Sequence, residues 1–221
     1  MGSYGIEYVI CVFVVAVFSM ILHELAHGLV ALWLGDDTAK HSGRLTLNPL
    51  KHIDPVMTII VPVILAISGM PVFGGAKPVP INTYKLKYRE WGFALVAIAG
   101  PLTNFILAML FYLVGYWTGA LIPMGETFSY TTTLWGRLVV AGLTTNLGFM
   151  LFNLIPIPPL DGSRVLYAIA PDGARRVMAK MERYGFIIIY VAILLFGTVL
   201  SAYLYGSMTG IFRLFSWMVG A

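Results

Sequence analysis

Four long apolar stretches constrain the fold of this chain more than any other feature. They lie at residues 8–34, 92–117, 134–156 and 186–205. A helix needs about 20 apolar residues to cross the roughly 30 Å of hydrocarbon in a bilayer, and each stretch is long enough. Only 11% of the 221 residues are charged, whereas a soluble domain has about 25%. We therefore expect an α-helical polytopic membrane protein, with a single domain over residues 1–221 and the lipid bilayer around it.

Three further segments complete the predicted set of helices. Residues 206–219 are also apolar, so additional C-terminal apolar helices are expected over 186–219. Residues 55–70 are apolar but short for a crossing, and they carry Pro62 in the middle. Residues 172–184 combine four cations with apolar residues at helical spacing. That pattern is typical of an interfacial helix, and a solvated loop helix explains it equally well.

Two short segments with alternating residues predict strands. They are residues 43–49 and 76–82, each flanked by glycine or proline. Pro78 and Pro80 restrict the second segment to the edge of a sheet. We expect a small membrane-associated β-sheet there, with plain surface loop as the alternative.

Basic residues are concentrated in three segments between the apolar stretches. Residues 35–53, 71–91 and 161–185 together hold twelve of the 14 lysines and arginines. Basic clusters that alternate with apolar spans indicate cytoplasmic loops under the positive-inside rule. They do not form the continuous basic surface of a nucleic-acid-binding protein, so no nucleic-acid partner is expected.

The first apolar stretch contains the pattern His23-Glu24-Leu25-Ala26-His27. Histidines four residues apart project from the same helix face, so both imidazoles can reach one metal ion. Glu24 can then approach a water molecule at the metal and take its proton. Ionisable side chains inside a membrane span cost free energy unless they serve one another or a pathway. The pattern predicts a metal centre in the membrane, with histidines that merely bond neighbouring helices as the alternative.

Two histidines leave a third protein ligand to be found. Several residues flank the spans rather than entering them: His41, His52, Asp54, Glu90 and Glu126. Asp161 differs, because it closes a stretch with three prolines at the end of the third long span. Irregular backbone near membrane depth is tolerated only where protein or an aqueous cavity covers it. A carboxylate there suits a metal ligand, although it could instead cap a helix over 163–170.

The order and spacing of three motifs resemble the site-2 protease family, whose members are intramembrane zinc metalloproteases. The motifs are His23 to His27, Ala99 to Asn104 in the next span, and Asn153 to Gly162 after the third. The resemblance covers about residues 8–170. The chain has no room for the inserted PDZ domain or the appended CBS domain of some members, and it is similar to a compact bacterial branch. The resemblance thus implies the bacterial cell membrane.

The resemblance also implies a role for each matching residue. One zinc ion would be held by His23, His27 and Asp161. Glu24 would be the catalytic acid and base. Asn153 would help to hold the substrate or the oxyanion, and Asn104 would position other groups. Interhelical hydrogen bonding is the alternative for both asparagines.

A shared metal site requires its ligands to lie at the same depth in the membrane. His27 and His23 lie seven and eleven residues before Leu34, or ~10–16 Å from the end of the first span. Asp161 follows the third long span. The spans 92–117 and 134–156 cross the membrane twice, so Asp161 lies on the side on which the first span ends. Residues 55–70 must therefore either enter the membrane and return to the same side or lie shallow in it. The basic loops then share one side, the cytoplasm, and the active site opens toward it.

The residues and the resemblance together predict hydrolysis of a peptide bond in or near the transmembrane segment of membrane-protein substrates. The predicted strands could hold such a substrate in an extended conformation. Two alternatives are a metal-ion transporter or metal-binding membrane protein, and a catalytically inactive protein that binds membrane proteins. Polar groups near only one face of the membrane argue against an ion pathway. The intact Glu24 argues against an inactive binder.

Overall fold

The computed structural model describes residues 5–67, 75–124 and 126–220. In that part of the chain, four helices are long and apolar enough to cross a membrane: α1 (Ile6–Trp33), α4 (Arg89–Trp117), α5 (Leu134–Asn153) and α8 (Gly185–Met218). The shorter elements are α2 (Thr38–His41), α3 (Val61–Ile67, continuing the π-helical turns Pro55–Ile60), β1 (Leu121–Met124), β2 (Thr127–Tyr130), α6 (Asp161–Ile169) and α7 (Asp172–Arg183). This confirms the prediction of a polytopic helical membrane protein.

Helix α4 lies at the centre of the molecule and packs against α1, α5 and α6. Small residues along α4, such as Ala97, Gly100 and Ala108, are buried, and small side chains let membrane helices approach closely. Where α4 and α5 meet, an apolar core forms around Leu143 and Leu147, and the second half of α8 packs onto it. The three helices predicted to carry the site are thus held side by side.

The C-terminal region is helical throughout, and a kink divides it into two stretches, as expected for additional C-terminal apolar helices. Helix α8 spans both predicted segments, but it is kinked at Phe196, which has non-helical backbone angles of φ −118° and ψ 17°. The kink lies between residue 186, where the predicted segments begin, and their boundary at 205. Gly197 directly follows Phe196 there, and no proline occurs in this region.

The predicted strands at 43–49 and 76–82 are wrong, because neither segment is a strand. The sheet of the described residues is instead a hairpin of β1 and β2, with Met124 opposite Thr127. Gly125-Glu126 lies between the two runs in the sequence, and a glycine-first dipeptide favours a two-residue hairpin loop. In the 76–82 segment, by contrast, the backbone bonds to side chains: the Val79 amide to Glu24, and the Lys77 and Pro78 carbonyls to Arg44.

The described residues on the two sides of the apolar segment lie close together. Thr58, in its first turns, donates from Oγ1 to the carbonyl of Gly75 at 2.7 Å. The amide of Lys77 donates to the carbonyl of His52 at 2.8 Å. The chain before and after the segment therefore lies side by side, as the predicted re-entrant or shallow path requires. Residues 68–70 of the predicted segment lie outside the described residues.

The cationic segment over 172–184 forms helix α7, in which no residue is buried. Both predicted forms, an interfacial helix and a solvated loop helix, have this exposure. Helix α7 follows α6 closely and packs against it. It therefore forms an outer wall on the side of the molecule where Asp161 lies.

Candidate metal centre

Three potential metal ligands meet at one point between α1 and α6. His23 and His27 lie on one face of α1 and Asp161 is the first residue of α6, and all three are buried. The two Nε2 atoms are 3.0 Å apart. Asp161 Oδ2 lies 3.2 Å from His23 Nε2 and 3.3 Å from His27 Nε2. Within the described residues, these three form the one cluster of His, Cys, Asp or Glu side chains with metal-binding spacing.

A tight turn after α5 brings Asp161 to the histidines. A Cβ added to Gly162 would collide with the carbonyl group of Leu154, so this close return of the chain requires glycine. The N-cap of α6 is Leu160, and no side chain caps the helix. Asp161 therefore does not act as the helix cap that the sequence left open, and its carboxylate points to the histidines instead.

The other ring nitrogen of each histidine bonds to α4. His23 Nδ1 lies 2.6 Å from Asn104 Oδ1, and His27 Nδ1 lies 2.7 Å from the carbonyl oxygen of Val96. Both partners are acceptors, so each Nδ1 carries the hydrogen and donates it. In the neutral imidazoles, each Nε2 then has a lone pair that faces the other Nε2 and Asp161. Bonds of this kind orient metal-binding histidines and fix their tautomer.

A second asparagine fixes the orientation of the first. Asn146 of α5 donates from Nδ2 to the carbonyl of Gly142 at 2.8 Å, and its Oδ1 accepts from Asn104 Nδ2 at 3.0 Å. A carbonyl can only accept, so the order of donors along this chain of bonds is set, and Oδ1 of Asn104 must face His23. Sequence reasoning missed Asn146. The available signal was a polar side chain within an apolar span, where it needs a partner.

The donor set fits a divalent metal ion. Three such acceptor atoms repel one another unless a proton or a cation lies among them, and a metal ion supplies that positive charge. A tetrahedral ion with bonds of about 2.0–2.1 Å holds its ligand atoms roughly 3.3 Å apart. The observed separations are 3.0–3.3 Å. Two imidazoles and one carboxylate leave a fourth position open, as in catalytic zinc sites.

Glu24 lies in the same cavity but outside the group of three donors. The cavity has a volume of about 120 Å³ and is lined by His23, Glu24, His27, Pro78, Val79, Ile81, Asn153, Pro159, Asp161 and Arg164. Glu24 Oε2 accepts a hydrogen bond from the backbone amide of Val79 at 2.8 Å. Asn153 donates from Nδ2 to the carbonyl of Phe149 at 3.0 Å. A carboxylate and an amide thus face the space next to the three donors.

The other candidate ligands bond elsewhere. His41 pairs with Asp37, His52 bonds to the carbonyl of Thr46, Asp54 accepts from the amide of Val56, Glu90 faces Arg175, and Glu126 pairs with Arg213. None of the five lines the cavity.

Comparison with known proteins identifies the family. The chain is 41% identical over 192 residues to "Putative zinc metalloprotease YwhC" of Bacillus subtilis, a match that spans 85% of this chain and 80% of the relative. The chain belongs to the site-2 protease family. It is also 33% identical over 177 residues to "Putative zinc metalloprotease Rip2" of Mycolicibacterium smegmatis, covering 80% of this chain and 63% of that protein. A third family relative, Rip2 of Mycobacterium tuberculosis, is 27% identical over 198 residues, which is 89% of this chain and 70% of that protein.

No family model matches the chain, and no solved structure matches it. The family that the three sequence motifs predicted is therefore confirmed by the relatives alone.

Proposed function

We propose that this protein is a zinc-dependent intramembrane endopeptidase that hydrolyses a peptide bond in or near the transmembrane segment of a membrane protein. One observation carries the proposal. Two imidazoles and a carboxylate converge as metal donors, and the separate carboxylate of Glu24 shares their cavity. Zinc fits the donor set, and the relatives are named zinc metalloproteases.

The depth of the site supports a substrate in the membrane. His27 and His23 lie six and ten residues before Trp33, where α1 ends. At 1.5 Å per residue, the donors are ~9 and ~15 Å along the helix from its end. A peptide bond that reaches them comes from a segment that enters the membrane or borders it.

The roles of the protein side chains follow from their chemistry. Bound zinc would act as a Lewis acid toward the scissile carbonyl and lower the pKa of water at the site. Glu24 takes one proton from the attacking water and later donates it to the amine nitrogen as the C–N bond breaks. Asn153, which lines the cavity, offers an amide to the substrate carbonyl. The products are one new carboxylate and one new protonated amine, so both protons of the water are accounted for.

A groove next to the metal cavity favours a polypeptide substrate over a transported ion. Its volume is about 660 Å³, and four of its lining residues also line the metal cavity: Pro78, Val79, Ile81 and Arg164. This volume is in the range of substrate sites. An ion pathway needs polar groups across the whole membrane, whereas the other end of α1 buries Cys11 and Val15 in an apolar cluster.

We further propose that the protein lies in the bacterial cell membrane with the site toward the cytoplasm. The groove is walled by α6, α7 and the start of α4. These elements and the loops beside them carry most of the basic residues, which the positive-inside rule assigns to the cytoplasm.

The test is cleavage of a single-span substrate by purified protein in lipid vesicles. We expect products that mass spectrometry maps to a bond within or beside the span, loss of cleavage with a chelator, and recovery with zinc. Asp161→Ala should lose both zinc and activity. Asp172→Ala should keep both, because Asp172 also begins a helix but is exposed. Zinc uptake into the vesicles without cleavage would instead support the transporter. Zinc binding without uptake and without cleavage would support an inactive binder.

A further inference from the structure

Residues 75–82, here called the strap, lie along the metal cavity. Pro78, Val79 and Ile81 of the strap line the cavity. The side chain of Val79 is buried and lies against α1, since a Cβ added to Gly28 would be 3.2 Å from Val79 Cγ1. Gly28 is one turn beyond Glu24 on the same face of α1. The strap therefore crosses α1 at Glu24, and the Val79 amide bonds to that carboxylate.

Arg44 attaches the strap to the preceding loop. Its side chain is buried, with only 7% of the residue exposed. The guanidinium donates to the carbonyls of Lys51 and Lys77, and to that of Pro78 at 3.2 Å. Lys77 and Pro78 directly precede Val79. A guanidinium presents several N–H groups in a rigid plane, so one side chain can hold these carbonyls in a fixed arrangement.

The strap is also held at its other end. The amide of Asn82 donates to Asp36 Oδ2 at 2.6 Å, and Asp36 is fully buried. Together with Arg44, this bond fixes the backbone on both sides of Val79. The direction of the Val79 N–H is therefore determined by contacts from outside the strap.

We propose that Arg44 is a positioning residue for Glu24, acting through the backbone amide of Val79. The inference rests on the proposed function, in which Glu24 is the catalytic base. One N–H bond to Oε2 fixes the rotation of the carboxylate and leaves the other oxygen to take the proton of the attacking water. Holding a catalytic group in its reactive geometry supplies part of the rate acceleration of an enzyme.

A pair of substitutions at Val79 tests the amide itself. Val79→Pro removes the N–H, and Pro80 already keeps residue 79 in extended backbone. Val79→Ala keeps the N–H and shortens the side chain. We expect Val79→Pro to lower kcat by at least about tenfold relative to Val79→Ala, with KM and zinc content unchanged. Equal kcat values for the two variants would overturn the inference.

A second pair tests Arg44. Arg44→Met removes the guanidinium but keeps an apolar stem, and Arg176→Met is the control, because Arg176 is exposed on α7. We expect Arg44→Met to lower kcat without loss of zinc, and to speed hydrogen exchange of amides in a peptide that spans residues 75–82. Unchanged exchange would overturn the inference, and so would loss of zinc, which would make Arg44 a structural support of the metal centre.

The two readouts separate this inference from the proposed function. Hydrogen exchange in the strap reports whether Arg44 holds this backbone, and it can be measured whether or not the protein cleaves a substrate. If the unaltered protein cleaves no substrate, the proposed function is refuted. Faster exchange in Arg44→Met would still show that Arg44 holds the strap. If the unaltered protein cleaves the substrate and Val79→Pro cleaves it equally well, only the positioning role is refuted.

Discussion

Among single residues, Gly100 determines how closely α4 approaches the metal centre. A Cβ added to Gly100 would lie 2.5 Å from Nε2 of both His23 and His27. Those two atoms are the ones that would bind the metal. The absence of a side chain at this position therefore leaves the space in which both imidazoles sit.

Gly100→Ala should accordingly lower zinc affinity by at least about tenfold, because the added methyl group displaces both imidazoles. Gly206→Ala is the control, since Gly206 is also in a long helix and a Cβ there meets nothing within 4 Å. Zinc titration of the two purified proteins checks the prediction. Equal affinities would mean that the histidines adapt to the extra group, contrary to the geometry.

The two buried asparagines should have graded effects on zinc affinity. Asn104→Ala removes the acceptor that orients His23, and such losses typically cost 10–100-fold in metal affinity. Asn146→Ala should cost less, because Asn146 acts only by orienting Asn104. Zinc competition with a chelator of known affinity measures both variants. An effect of Asn146→Ala as large as that of Asn104→Ala would contradict this order.

Among elements, α4 supports the site with residues four apart on one face. The carbonyl of Val96 holds His27, Gly100 makes room for both rings, and Asn104 holds His23. Residues at i, i+4 and i+8 lie above one another on a helix. His23 contacts Asn104, whereas His27, which comes later in α1, contacts Val96, which comes earlier in α4. Helices α1 and α4 therefore run antiparallel at the metal centre.

The path of the apolar segment after residue 54 gives a topology prediction. Single cysteines at Lys51 and Lys85, in a Cys11→Ser background, should react with a membrane-impermeant thiol reagent only after the cytoplasmic side is opened. A cysteine at Glu126 should react from outside in intact spheroplasts. All three side chains are exposed to water, as the reagent requires. Labelling of the Lys51 and Lys85 positions from opposite sides would make the segment a true crossing and separate Asp161 from the histidines.

The elements differ in how well the sequence predicted them. Helices α1, α4 and α5 were predictable because their apolar stretches have the length of a membrane crossing. The strap was misread as a strand, because alternation of side chains does not show where backbone groups bond. Its Val79 amide bonds to Glu24 and its Lys77 and Pro78 carbonyls to Arg44. The hairpin of β1 and β2 had a turn signal that was overlooked.

At the scale of the whole molecule, three helices and the Asp161 turn bring together residues from distant parts of the chain. The spacing of His23 and His27 predicted that they converge, and the proline-rich stretch before Asp161 together with the family resemblance predicted that Asp161 joins them. The carbonyl of Val96 and the amide of Val79 carry no such signal, since every residue has these groups. Tertiary packing alone selects which backbone groups meet the site.

The most direct test of the account is the zinc content and activity of Glu24→Gln. Glutamine cannot take the proton of water, yet Glu24 is outside the three donors, so the variant should keep stoichiometric zinc while kcat falls by at least about 100-fold. Metal analysis and a cleavage assay on the same purified sample measure both quantities, with His23→Ala as the variant that should lose the metal. Retained cleavage in Glu24→Gln would contradict its role as the base, and loss of its zinc would contradict the assignment of the ligands.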